Sequence, residues 1–213
     1  MKVECVQDKL QKILNLAEKI AGRNLNLPVL SCILLEAKKG KLTVRSTNRV
    51  LGLYSSITAK IDEEGVLAVA AGVFSSYVSN LQGEKSVKLS SEGTQLSLVT
   101  ARSKTTIKCL PSEDFPTIPQ LTGEIGFEMN SSDFVKGLKA VWYSSSLSSI
   151  KAELSSVFIY PEDGVIVFAA TDSFRLAEKK VKTKVPDFEK VLIPFKNVSE
   201  IIRILETADT TVE

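Results

Sequence analysis

Residues 30–47 read Leu-Ser-Cys-Ile-Leu-Leu-Glu-Ala-Lys-Lys-Gly-Lys-Leu-Thr-Val-Arg-Ser-Thr, and residues 154–171 read Leu-Ser-Ser-Val-Phe-Ile-Tyr-Pro-Glu-Asp-Gly-Val-Ile-Val-Phe-Ala-Ala-Thr. Each stretch is an apolar run, a polar turn closed by glycine, and a second apolar run, the pattern of a β-hairpin. The two lie 124 positions apart, and the correspondence runs without a gap from residues 3–53 to residues 127–177. Glu4 meets Glu128, Lys12 meets Lys136, Leu14 meets Leu138, Gly40 meets Gly164 and Thr47 meets Thr171. Elsewhere one apolar residue replaces another: Val3 by Phe127, Leu10 by Phe134, Leu34 by Phe158, Val44 by Phe168. Shared pattern, shared turn glycine and shared spacing predict one fold used twice. The period far exceeds the roughly 20–50 residues of solenoid repeats, so the reading is domain duplication.

Outward from the hairpins, the chain alternates strands with two helices per copy. In the first copy Lys2–Val6 reads as a strand, and Asp8 as the cap of a helix to about Ile20, with Leu10, Ile13, Leu14, Ala17 and Ile20 at helical spacing. Val50–Ala59 and Val66–Ala70 read as strands, Val73–Leu81 as a helix, and Ser86–Leu89, Gln95–Ala101 and Thr105–Leu110 as three closing strands. In the second copy Gly126–Asn130 is a strand and Ser132 caps a helix to about Ser144. Arg175–Val185 and Val191–Pro194 are strands, and Asn197 caps the helix Val198–Leu205. The expected class is α+β, two domains of antiparallel sheet with two helices each, at residues 1–122 and 123–213. A second copy as long as the first extends about 30 residues past Glu213, so the repeat predicts a truncated second domain and a fragment of a longer protein.

Composition narrows the function by exclusion. The chain has 44% hydrophobic and 24% charged residues and a net charge of +2, ordinary for a globular protein with a core. No apolar run approaches the roughly 20 residues of a membrane span, and no signal peptide opens the chain, so the expected location is cytoplasmic. There is no histidine, which removes histidine triads, histidine metal sites and the commonest general base. Cys5, Cys32 and Cys109 are widely spaced in apolar contexts and read as buried thiols, with no zinc-ligand pairing. No glycine-rich phosphate loop occurs. The serines at 144–146, 148 and 149 have no nucleophile motif around them and read as a solvated loop. The expectation is a protein with no catalytic residue, no metal and no cofactor.

The helices carry a different signal. On a wheel of about 100° per residue, Lys9, Lys12, Lys19 and Arg23 fall within an arc of about 80° beside the apolar stripe. Lys136 repeats Lys12, Lys139 lies on the same side, and Lys196 and Arg203 add charge to the last helix. A solvated helix face explains such charges individually. Their return at an equivalent position in both copies favours a nucleic-acid surface.

Three stretches resemble the bacterial sliding clamps, the β subunits of DNA polymerase III. They are Arg23-Asn24-Leu25-Asn26-Leu27-Pro28-Val29-Leu30, then Cys109-Leu110-Pro111-Ser112-Glu113-Asp114-Phe115-Pro116, and Ala169-Ala170-Thr171-Asp172-Ser173-Phe174-Arg175-Leu176-Ala177. The second is similar to the segment joining the family's first and second domains, and the third to its A-T-D-x-x-R-L-A motif. The resemblance covers essentially the whole chain. It implies a fold of three such domains per subunit and a homodimeric ring around duplex DNA with helices inside. The third domain is absent here, and with it the first-to-third contact that closes the ring, so this chain alone is not expected to form one. Sliding requires attraction to phosphates without base reading, which lysine and arginine on helix faces supply.

The resemblance also implies a peptide pocket on the second domain, formed here by Leu154, Thr171, Ser173, Phe174, Arg175 and Leu176. Short apolar motifs of a replicative polymerase and of clamp-loader subunits insert there, with the Arg175 guanidinium expected to bond peptide carbonyls. Asp172, like Asn48 in the first copy, is expected to make a local turn. The rival reading is a peptide-docking scaffold built on duplicated clamp domains that does not bind DNA.

Overall fold

The computed structural model describes residues 1–22, 27–81, 83–118, 128–183, 188–206 and 211–212. They fall into two compact units, Met1–Pro119 and Gln120–Glu213.

The first unit contains β1 (Lys2–Val6), α1 (Gln7–Ile20), β2 (Cys32–Lys38), β3 (Lys41–Thr47), β4 (Gly52–Thr58), β5 (Lys60–Glu63), β6 (Gly65–Ala70), α2 (Ala71–Ser79), β7 (Ser86–Glu92), β8 (Gln95–Val99) and β9 (Lys104–Leu110). The strands form one antiparallel sheet among the described residues, in the order β4-β3-β2-β6-β9-β8-β7-β1-β5. β9 pairs with β8 over Lys104–Lys108 and with β6 at Cys109 and Leu110, so the sheet bends there into two halves. Period-2 alternation sends Ile33, Leu35, Leu42, Val44, Leu89, Leu96 and Leu98 into one core with Leu10, Leu14 and Phe74 of the helices. Buried Gln7 ties the helices together: its side-chain amide donates to the Val78 carbonyl at 2.9 Å.

The second unit contains β10 (Met129–Asn130), α3 (Ser131–Val141), a 3-10 turn (Trp142–Ser144), β11 (Ser156–Glu162), β12 (Val165–Thr171), β13 (Leu176–Lys182), β14 (Val191–Pro194), α4 (Phe195–Leu205) and β15 (Thr211–Val212). Its four-stranded antiparallel sheet runs β13-β12-β11-β14, repeating β4-β3-β2-β6. β10 pairs with β15 as β1 pairs with β7. The helices pack on this sheet through Phe134, Leu138, Val141, Val198 and Ile202.

The hairpin turns of the two units match in detail. Lys39 and Gly40 have φ of 49° and 75°, and Asp163 and Gly164 have 47° and 75°. Two successive positive φ values make the tight turn whose twist fits a hairpin.

Several local expectations are corrected. Asp8 is not a cap: α1 starts at Gln7, directly from β1, and Asp8 lies in its first turn, where a carboxylate favours the helix dipole. Asn130, not Ser132, caps α3, its side-chain oxygen accepting the Ser132 N–H at 2.9 Å. Asn197 lies inside α4, which begins at Phe195 with no side-chain cap. β5 and β15 were not expected from the pattern. Ser144 and Ser145 are buried rather than solvated, at 2% and 3% exposure. The segments around Arg23 and Gly126 lie outside the described residues.

Candidate functional site

Thr171–Leu176 joins β12 to β13, and Thr171 pairs with Leu176 as the closing rung. The loop is built by its own side chains. Thr171 Oγ1 donates to the Arg175 carbonyl at 2.7 Å and accepts from the Ser173 N–H at 3.1 Å. Asp172 Oδ1 accepts the N–H groups of Phe174 and Arg175, both at 3.0 Å. Those backbone bonds, first from Phe174 and then from Arg175, hold the Asp172 carboxyl below the usual carboxylate range. Ser173 takes φ 79°, a left-handed conformation that costs an L residue some strain and is stabilised here by the surrounding bonds. The first unit repeats the construction. Thr47 Oγ1 bonds Leu51 O at 2.7 Å, and Asn48 Oδ1 accepts from Val50 and Leu51 at 2.9 and 2.8 Å. Arg49 takes φ 75°. The turn role expected for Asp172 and Asn48 therefore holds.

This loop pushes apolar side chains outward. Phe174 is 98% exposed and Leu176 70% exposed, so Leu176 is not a core residue. Ser173 and Arg175 are also exposed, and Thr171 and Leu154 are half-buried. Arg175 is also bonded within this unit. Its Nε bonds Asp172 Oδ2 at 3.0 Å, and its Nη2 bonds the Tyr143 carbonyl at 2.8 Å. The guanidinium is thus committed to tying the loop to the 3-10 turn after α3. Leu154 precedes β11, and its carbonyl accepts the Ser146 N–H at 2.8 Å, which anchors the serine-rich loop. That loop presents Leu147 and Ile150, 80% and 91% exposed. Together with exposed Tyr143 they extend the open apolar surface of this unit. The sequence reading missed them; the signal was two isolated large aliphatics in a run of serines.

The helix cations divide into paired and unpaired sets. Lys9 and Lys12 are exposed on α1, and Lys19 is half-buried. These three and exposed Lys196 form no ion pair among the described residues. On α3, Lys136 pairs with Asp133 at 2.9 Å, and Lys139 pairs with Glu206. On α4, Arg203 pairs with Glu200 at 3.3 Å. α2 has no charged residue.

The cysteines are inert by environment. Burial, with a smaller contribution from Glu4, pushes the Cys5 thiol up to about 12. Burial and then Cys32 push Cys109 to about 11. Neither supplies a thiolate nucleophile near neutral pH. No helix among the described residues is long and apolar enough to cross a membrane.

Two copies of one α+β unit, each laying two helices on its antiparallel sheet, are the duplicated domains of a DNA clamp. The family described as DNA polymerase III beta subunit, N-terminal domain, matches residues 1–119, and the corresponding central domain matches residues 128–213. The chain belongs to the DNA polymerase III beta subunit family, as the three motifs indicated. The beta sliding clamp of Synechococcus elongatus is 25% identical over 211 residues, which are 96% of this chain and 56% of that protein. The beta sliding clamp of Synechocystis is 29% identical over 197 residues, 89% of this chain and 50% of that protein. Among solved structures, a sliding clamp (DNA polymerase III subunit beta) from Pseudomonas aeruginosa bound to griselimycin is 25% identical, with a TM-score of 0.89 over 100% of this chain and 58% of that one. A putative DNA polymerase III beta subunit from Eubacterium rectale, 21% identical, shares the fold with a TM-score of 0.92 over 100% of this chain and 59% of that one. The chain thus spans little more than half the length of these relatives.

Proposed function

We propose that this chain works as part of a DNA sliding clamp, a non-catalytic, cytoplasmic processivity subunit for a replicative DNA polymerase. The family match across both units carries this reading. Residues 1–122 and 123–213 would be the first two clamp domains, and the dimeric ring would belong to a longer chain with a third. Lys9, Lys12, Lys19 and Arg23, with Lys136, Lys139, Lys196 and Arg203, would face duplex DNA and attract phosphates without reading bases. Leu154, Thr171, Ser173, Phe174, Arg175 and Leu176 would dock polymerase and loader peptides, with Arg175 also holding the loop in shape. Burying one exposed Leu or Phe side chain under a ligand is worth about 1.5–3 kcal/mol before ordering costs, enough to anchor a short peptide. The similarity to a clamp solved with griselimycin supports a ligand surface on this architecture.

The paired state of Lys136, Lys139 and Arg203 supports the second reading, a peptide scaffold that does not bind DNA. Salt dependence separates the two. A DNA-binding chain associates equally with duplexes of unrelated sequence, and its log affinity falls linearly with log salt. Strong preference for one duplex, or no association at low salt, would remove the clamp reading of the helices.

A further inference from the structure

We propose that the first unit holds a second peptide groove, beside the loop Thr47–Gly52, and that its occupant is this chain's own segment Phe115–Ile118. The inference rests on the reading of Thr171–Leu176 as a docking loop, because Thr47–Gly52 repeats that loop bond for bond. Phe115 is buried with Cys32, Leu34 and Ala68 on the sheet face turned away from α1, and Ile118 packs on the same cluster. Ile118 then reaches the docking loop. Its Cγ2 lies 3.0 Å from where a Cβ on Gly52 would stand. The reach fits a docked strand of chain: β2 to β4 is two strand spacings, about 10 Å, which is what three extended residues span. A cleft of about 480 Å³ remains between Thr47, Arg49–Gly52 and Pro116–Ile118.

In the second unit the equivalent sheet and loop positions are exposed. Leu192 stands where Ala68 does, opposite Phe158 as Ala68 is opposite Leu34. Ala68 is 0% exposed and Leu192 is 44% exposed. Leu176 takes the place of Gly52 and stays open. Gly52, having no side chain, lets Ile118 close over the first loop. The first groove is occupied from within by Phe115–Ile118.

The test is a fluorescence-anisotropy titration of the full 213-residue chain with a labelled peptide of the sequence of residues 111–118, Pro-Ser-Glu-Asp-Phe-Pro-Thr-Ile. A Phe115→Ala/Ile118→Ala variant should bind one peptide more per chain than the unsubstituted protein, and adding Gly52→Leu should remove that extra site. Where the double variant does not melt cooperatively, Ile118→Ser alone is read by the same stoichiometry, with Phe115 left in its cluster. Equal stoichiometry in a variant that melts cooperatively overturns the proposal. Leu176→Asp lies in the other unit and should leave the extra site intact. Loss of polymerase-type peptides in Leu176→Asp reports on the second unit alone, so either reading can fail without the other.

Discussion

In the first unit Ile13 of α1 and Val44 of β3 share the helix–sheet core; in the second their places are taken by Gly137 and Phe168. A Cβ on Gly137 would lie 2.5 Å from Phe168 Cε2, so the helix gives up its side chain to the ring opposite. Phe134, which replaces Leu10, meets that ring edge-on at 5.5 Å. The two units divide the space between helix and sheet differently, as close-packed interiors require. The same duplication diverges freely where packing exerts no such control, among the helix cations. Function is read from those surface differences and fold from the core agreement.

The largest effect expected from breaking this comparison is at Gly137. Gly137→Ala forces a methyl into a rigid ring; overpacking costs about 1–3 kcal/mol, and better helix propensity returns at most about 1 kcal/mol. Urea melts should show the second unit destabilised. On a Phe168→Val background, which copies the first unit, the same alanine should cost nothing, a coupling that a double-mutant cycle measures. A neutral Gly137→Ala would mean that the two cores are not complementary solutions to one volume.

The cations offer a smaller contrast. Exposed ion pairs contribute only about 0–1 kcal/mol each, yet a paired lysine presents less net charge to a phosphate. Lys9→Ala/Lys12→Ala should therefore flatten the salt dependence of duplex binding by about two units, one per lost contact. Lys136→Ala/Lys139→Ala should change it by less. Equal slopes from the two pairs would show that the carboxylates of Asp133 and Glu206 do not matter.

The smallest difference is one of titration. Asp172 and Asn48 accept the equivalent two backbone N–H groups, but only Asp172 can be protonated. Its folded pKa lies below the unfolded value of about 3.9. The stability this contributes to the second loop is present above that value and is lost as pH falls through the folded one. Amide chemical shifts of Phe174 should move in acid while those of Val50 stay. Parallel movement of both would mean that the carboxylate bonds are not what holds the loop.

Much of this was legible in the sequence because it rests on local chemistry. The turn glycines at 40 and 164, the Thr-Asx loop starts at 47 and 171, and the 3.6-residue stripes of α1 and α3 each announce themselves. The helix starts did not. β1 runs straight into α1 and β14 into α4, so Val6 and Pro194 occupy the cap positions, and neither has a side chain that can cap. β5, of sequence Lys-Ile-Asp-Glu, is an edge strand whose polar composition hides it, as edge strands often do. At the candidate site the sequence located Leu154 and the 171–176 loop. It did not show that Arg175 would be spent on Asp172 and Tyr143, because that partner lies 32 residues away in sequence. Nor did it show the burial of Ser144 and Ser145, since serine reads as solvent-facing until its neighbours are known.

The measurement that bears most directly on the account is anisotropy titration of a labelled polymerase-type clamp-binding peptide against the intact chain and against Leu176→Asp. Leu176 is 70% exposed, so the substitution should leave folding unchanged within about 0.5 kcal/mol. Removing an apolar anchor of a docked peptide and placing a charge there should weaken binding at least about 30-fold, the scale of a hot-spot residue. Undiminished affinity in a Leu176→Asp protein that still melts cooperatively would contradict the assignment of this loop as the docking site.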